Sequence, residues 1–334
     1  MASEIAEIPE MLARQVDQIE IYYDVGRQLK KDGTCGFITC ARGTSDHAAT
    51  FFKYLMETRT GLPVASLGPS IASVYETPLR VQNFTCMTFS QSGGSPDLVA
   101  FQNAAKAGGA RTIAVLNVTE NPVGAGAGTV LPLHAGPERA VAATKSFVGM
   151  LFASLAIYSG FRDDRELRRA FASLPDLASA ALMSSWTRAA LPLANSHSLY
   201  CIGRGPGLAI AAEAALKLKE TCRIHAEAYS AAEVRHGPIA IADSQLGALI
   251  FGARGRANHS INDAAKRLKS KGASVFLVDE DKRRDILPVP VAAHDLFSPL
   301  LQAVAFYSFV ERLACDLGYD PDAPVGLDKV TRTM

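Results

Sequence analysis

Two stretches of the chain carry the same succession of apolar and polar positions. Residues 36–41 (Gly-Phe-Ile-Thr-Cys-Ala) form an apolar run of strand length, followed by Arg42-Gly43 and a helix-period pattern ending in Tyr54-Leu55-Met56-Glu57. Residues 199–203 (Leu-Tyr-Cys-Ile-Gly) repeat the run, followed by Arg204-Gly205 and a helical pattern ending in Leu216-Lys217-Leu218-Lys219-Glu220. Further on, the runs 88–90 and 249–251 both open into small polar loops. Each is followed by a helix containing Ala-Ala-Lys (104–106 and 264–266), a Gly-Ala pair at Gly109 or Gly272, and another strand (112–116 and 274–278). Shared order and residues at an offset of about 160 residues point to a duplication. Strands alternating with helices of about a dozen residues predict parallel βαβ units. The fold class is therefore α/β, with two doubly wound parallel sheets flanked by helices.

The same patterning divides the chain. Residues 1–30 read as an N-terminal helical segment, 31–165 as the first domain and 191–318 as the second. Between them, 166–190 continues a helical spacing through Leu167, Phe171, Leu174 and Leu177, which predicts a packed helical connection, not a flexible linker. An apolar helix over 296–313 closes the second domain, and 319–334 is a Pro/Asp-rich tail.

Composition narrows the function classes. A chain of 334 residues that is 48% hydrophobic suits about two domains of ordinary size. A formal net charge of +1 argues against nucleic acid or an acidic membrane surface as the main partner. The cysteines form no C-x-x-C pair and read as reduced core thiols. The N-terminus lacks the basic start and apolar core of a signal peptide, and the most apolar helical run, 147–161, falls short of a membrane span. A cytoplasmic protein with no membrane segment is expected.

Two loops carry candidate chemistry. Ser90-Gln91-Ser92-Gly93-Gly94-Ser95-Pro96-Asp97 lies between a strand and a helix. Its hydroxyls and glycines let backbone N–H groups approach an anion at a helix N-terminus, outside the carboxyl ends of the strands. Ser95 before Pro96 also fits a plain helix cap, and the two roles are compatible. After the first strand, Arg42-Gly43-Thr44-Ser45-Asp46-His47 holds the equivalent place, from which Thr44 or Ser45 can reach the same anion.

Gly-Thr-Ser after the first strand, Ser-Gln-Ser-Gly after the next, and Ala143-Thr144-Lys145-Ser146-Phe147 resemble the sugar isomerase (SIS) family. The chain is similar along nearly its whole length to the isomerase portion of the glucosamine-6-phosphate synthases and their stand-alone relatives. The resemblance implies two tandem SIS domains, a phosphorylated sugar as the small-molecule partner, and Ser45, Ser90, Gln91, Ser92 and Ser95 as its phosphate site, with Thr44 beside them. Gly94 and Ala143 depart from the family pattern, which usually has an acidic residue and a serine there.

The densest ionisable run is 217–238. Moving a proton between C1 and C2 of an aldose needs a carboxylate with access to both carbons and an acid/base group for ring opening. From spacing alone, Lys217 and Glu220 also fit a surface ion pair on one helix. Leu-Lys-Leu-Lys-Glu, His-Ala-Glu-Ala-Tyr and Arg-His-Gly-Pro recur in the family in this order. By that resemblance Glu220 is the proton shuttle, His236 the ring-opening group and Lys217 a helper near the sugar hydroxyls. The family's histidine comes from the partner subunit, which implies a homodimer. Lys329 resembles a tail lysine that caps the site and can form an imine with the open-chain ketose. No metal and no cofactor is implied.

The family synthase also carries a glutamine-hydrolysing domain, which this chain is expected to lack, since it enters the first SIS half within about 35 residues. The same acid/base set run in reverse suggests a phosphosugar isomerase/deaminase, with glucosamine 6-phosphate the first candidate substrate and galactosamine 6-phosphate close behind. A deglycase of phosphorylated sugar–amino acid adducts and a non-catalytic sugar-phosphate sensor are the alternatives. A substrate panel separates the first two, and turnover of any aminosugar phosphate separates both from the sensor.

Overall fold

A computed structural model describes residues 1–280 and 285–329. Its contacts divide the chain into two compact units. One gathers Glu10–Glu138, Lys145–Ala172 and the tail residues Asp328 and Lys329; the other gathers Met1–Pro9, Arg139–Thr144 and Ser173–Leu327.

In the first of these, strands β1 (Gly36–Cys40), β2 (Val64–Ser66), β3 (Phe84–Ser90), β4 (Arg111–Leu116) and β5 (Thr129–Pro132) form one sheet in the order β2-β1-β3-β4-β5. Every pairing is parallel. β1 and β3 are buried almost throughout, as strands covered on both faces must be. Ile38, Cys40, Cys86, Phe101, Ala114 and Leu116 share one apolar cluster against the helix Pro96–Ala107. On helix Lys145–Arg162 every residue but the last is buried, the mark of a helix surrounded by its own unit. It meets helix Ile19–Lys31 at two glycines: a Cβ on Gly160 would stand 2.0 Å from the Tyr23 carbonyl oxygen, and one on Gly26 2.0 Å from that of Ile157. Only hydrogen at these positions lets the two backbones approach so closely.

The second sheet holds β6 (Ser198–Gly203), β7 (Ala226–Ser230), β8 (Leu246–Phe251), β9 (Ser274–Asp279) and β10 (Ile286–Pro288), in the order β10-β9-β8-β6-β7. Read from the other edge this is the same winding as the first sheet, again parallel at every pairing. The duplication extends to the backbone. Helices Thr44–Thr60 and Pro206–Cys222 each run 17 residues, and each starts after a glycine at nearly the same angles. Gly43 has φ 54° and ψ −131°, and Gly205 φ 58° and ψ −132°. That region is closed to residues with a Cβ, and nothing crowds either position, so the turn itself demands glycine.

The two sheets are the parallel, doubly wound ones that the strand and helix periods predict. The edge strands β2 and β10, three residues each, lie outside the runs the pattern marks. Residues 166–190 are helical except at 183–186: Arg165–Ala170, the 3₁₀ turn Phe171–Ser173, Leu174–Leu182 and Thr187–Ala194 follow one another. Among the described residues no helix is long and apolar enough to cross a membrane.

Candidate active site

In the first sheet the chain reverses its winding between β1 and β3, and in open α/β sheets ligands sit in the crevice at such a switch point. The register pairs Cys40 with Thr88, so the loops leaving β1 and β3 emerge side by side. The first leads to Thr44 and Ser45, the second to Gln91, Ser92 and Ser95. The structure thus brings all six of these residues to the carboxyl end of one sheet.

The loop after β3 is held open by its own bonds. Ser90 Oγ, buried at the strand end, accepts the Gly93 N–H at 2.9 Å. Gly93 has φ +62°, and a Cβ there would lie 2.1 Å from the Asn121 side chain. Ser95 is the N-cap of helix Pro96–Ala107, yet its hydroxyl makes no cap bond. The loop after β1 is tied to this helix by Arg42, whose Nε and Nη2 both donate to Asp97 Oδ2, at 2.8 and 2.7 Å. Asp97 is buried, and Arg42 is 47% exposed. Replacing Arg42 by alanine is expected to remove a charged pair worth about 1.5–3 kcal/mol before solvent screening. The two loops then lose their registration, and binding of inorganic phosphate or a sugar phosphate weakens, read by calorimetry beside a urea melt.

The equivalent loop of the second unit is built differently. Where the first has serines, it carries Gly252-Ala253-Arg254. Arg254 is bound by Glu280 and by Asp295 Oδ1 at 2.5 Å. Two carboxylates around one guanidinium leave little positive potential for an anion, so the duplicated switch points are chemically unequal.

Lys329, in the tail, belongs to the unit of the serine loops, and its Nζ lies 3.8 Å from Glu138 Oε2. The Glu138 side chain is fully buried and accepts the Ser146 N–H at 3.1 Å and the Ser146 hydroxyl at 2.6 Å. Its carboxylate thus sits on the first turn of helix Lys145–Arg162, where the helix dipole favours negative charge. Lys329 is held by a carboxylate that is itself fixed, a contact between residues far apart in sequence.

The ionisable cluster lies on helix Pro206–Cys222. Lys217 is fully buried, with Nζ 2.5 Å from Glu220 Oε2 and 3.3 Å from Glu213 Oε1. This is no surface pair: Glu213 is buried as well, and the Glu220 side chain alone of the three reaches solvent, at 21% exposure. Burial by itself would lower the Lys217 pKa; the charges of Glu213 and Glu220, and their hydrogen bonds, outweigh it and leave the ammonium raised above the ordinary lysine value. A raised value means that the ion pairs are fully present below the ordinary lysine range and are lost only as pH rises through the folded-state pKa. Glu213 is the member the sequence reading misses. Its signal is the 213, 217, 220 spacing, which places three charges on one face of a helix otherwise rich in Ala and Leu.

His236 closes the 3₁₀ turn Glu233–His236 and is exposed. Among the described residues, no hydrogen bond or ion pair ties it to Lys217 or Glu220. Glu227 accepts a hydrogen bond from the Tyr229 hydroxyl, which together with burial pushes that phenol up to about 12. Four cysteines, Cys40, Cys86, Cys201 and Cys222, are buried, whereas Cys35 and Cys315 are exposed. Burial pushes the Cys86 and Cys201 thiols up to about 12, far from a reactive thiolate.

Two doubly wound parallel sheets, with a hydroxyl-lined loop at the switch point of one and a buried ion cluster on the helix that follows the first strand of the other, define a protein of the α/β class. Residues 37–159 and 192–286 match the SIS domain, and the chain belongs to the SIS domain family. A glutamine–fructose-6-phosphate aminotransferase (isomerizing) from Bradyrhizobium diazoefficiens is 32% identical over 98% of this chain and 58% of its own length. The chain thus spans about half the length of the curated relatives it matches, between 50% and 58%. Among solved structures, one from Silicibacter pomeroyi described as a phosphosugar isomerase is 40% identical, with a TM-score of 0.90 over 96% of this chain and 98% of its own. A glucosamine-6-phosphate deaminase from Thermotoga maritima shares the fold, with a TM-score of 0.76 at 20% identity over 98% of this chain and 100% of its own.

Proposed function

We propose that this chain is a phosphosugar isomerase of the SIS type that acts on an aminohexose 6-phosphate and releases ammonia. The observation that carries this reading is Glu220: a carboxylate with one side in solvent and the other 2.5 Å from a buried ammonium. The Lys217 ammonium is its counter-charge, and a carboxylate so placed is suited to act as a base. The serine loops hold the phosphate, so that the substrate is anchored by a group that takes no part in the chemistry.

Glu220 takes the proton from C2 of the open-chain aminoaldose and returns it to C1. The product is a ketose imine. Water adds to the imine carbon, ammonia leaves, and a ketose 6-phosphate remains, so substrate plus water balances ketose phosphate plus ammonia. Lys329 offers a primary amine that can form an imine with an open-chain ketose, and Glu138 holds it in place. A sensor would need the serine loops alone. The buried Glu213–Lys217–Glu220 cluster carries a desolvation cost that binding a phosphate does not require, which favours catalysis over sensing.

The enzyme works as a homodimer in which His236, exposed on its own chain, opens the sugar ring in the partner subunit's site. Mixing Glu220→Gln with His236→Gln protein and letting the subunits exchange tests this. If His236 crosses, a mixed dimer of two-fold symmetry holds one site with both residues intact, and a 1:1 mixture recovers about a quarter of parental activity. No recovery after demonstrated exchange places the histidine in its own subunit's site. The reaction itself is tested with glucosamine 6-phosphate, galactosamine 6-phosphate and a phosphorylated sugar–amino acid adduct. Turnover of the adduct alone favours the deglycase; binding without turnover of any favours the sensor.

A further inference from the structure

Helix Ser298–Asp316 packs along helix Pro206–Cys222 and brings Tyr307, fully buried, onto the ion cluster. Tyr307 Oη donates to Glu213 Oε1 at 2.9 Å. That is the same oxygen that stands 3.3 Å from Lys217 Nζ. A buried phenol where phenylalanine would fill the space costs free energy unless its hydroxyl is bonded, and here the bond goes to a carboxylate. The ammonium makes its short contact, 2.5 Å, with Glu220, the carboxylate that reaches solvent. Glu213 Oε1 already accepts the Tyr307 hydrogen bond, which weakens its hold on the lysine and accords with the longer of the two distances.

We propose that Tyr307 is a positioning residue which, by occupying Glu213 Oε1, directs Lys217 onto Glu220. The proposal rests on the reading of Glu220 as the base, and deepens it. Tyr307 touches no substrate in this scheme. It acts through Glu213 and Lys217, and its effect reaches the reaction as the fraction of Glu220 that is ionised and correctly aimed. Removing the hydroxyl leaves Glu213 short of one partner. Lys217 then moves toward Glu213, and Glu220 holds its proton to higher pH. The elements packed against this helix carry few other titratable groups. They are Tyr200 and Cys201 on β6, Glu227 and Tyr229 on β7, and Glu311, Arg312, Cys315 and Asp316 on the helix of Tyr307. Lys219 and Arg223 flank Glu220 on its own segment. None of these changes in a Tyr307 variant, so a shift at Glu220 reports the cluster.

The test compares the parent with Tyr307→Phe by two independent readouts. The first is steady-state turnover of the aminohexose phosphate; the second is carboxyl carbon NMR titration of Glu220, assigned by its loss in Glu220→Gln. The expected result is a fall in kcat of about tenfold with KM changed less than about threefold, and a Glu220 midpoint above the parental one. Tyr307→His returns an N–H donor to Glu213 and restores both values; it also serves if the Phe variant does not fold. A lower melting temperature with the Glu220 midpoint and kcat unchanged makes Tyr307 structural and overturns the proposal, as does a lowered midpoint. If the parent turns over none of the sugars yet the midpoint still rises, the positioning stands and the isomerase reading falls.

Discussion

Glu220→Gln is expected to bind a sugar phosphate as the parent does and to turn it over about 10²–10⁴-fold more slowly, the usual contribution of a positioned acid/base group. The amide keeps the size and one acceptor oxygen but cannot take a proton from carbon. Because the amide keeps the size and polarity of the side chain, binding measured by calorimetry should change little while kcat collapses. The side chain is partly exposed, and Glu213 remains as counter-charge for Lys217, so the melting temperature should stay within a few degrees of the parent. Full activity in this variant would remove Glu220 from the chemistry.

The second large effect falls on stability and activity together. Lys217→Met removes the ammonium that stands between Glu213 and Glu220 and leaves a buried carboxylate, Glu213, facing an apolar side chain. Breaking a buried pair this way costs about 3–5 kcal/mol, because the orphaned charge keeps its desolvation penalty. At about 2–4 °C per kcal/mol for a unit of this size, the melting temperature should drop by roughly 10 °C. The pH dependence gives a sharper check. In the variant Glu213 is pushed above the ordinary carboxylate range, so its neutral form is the one the fold prefers. The deficit should therefore shrink as pH falls and grow as pH rises through the raised value. Adding Glu213→Gln to Lys217→Met removes the orphaned charge and should return part of the lost stability without returning activity. A Lys217→Met protein as stable as the parent at neutral pH would contradict the buried geometry.

Much of this architecture is legible in the chain because duplication leaves period and order intact. The runs 36–41 and 199–203 become β1 and β6, and the glycines after them take nearly identical angles. The serine loop is legible for a local reason: Ser90, Gly93 and Ser95 are neighbours in sequence, and the bond from the Gly93 N–H to Ser90 closes within three residues. The edge strands β2 and β10 are not, since three residues are too few to show an alternation. Contacts between distant positions escape as well. Arg42 with Asp97, Glu138 with Lys329, and Tyr307 with Glu213 are each made by two elements whose proximity only the fold decides. Glu213 lies between these cases. Its spacing to Lys217 and Glu220 was available, but the same spacing describes a solvated helix face, and only burial tells the two apart.

The proposed activity is an aminosugar-phosphate isomerisation, with Glu220 as its base, that ends in ammonia. It is met most directly by incubating the purified protein with glucosamine 6-phosphate or galactosamine 6-phosphate and following ammonia and ketose 6-phosphate in the same reaction. Equal amounts of both products from one of the sugars, lost together in Glu220→Gln, are the expected result. Binding of both sugars with neither product formed would contradict it.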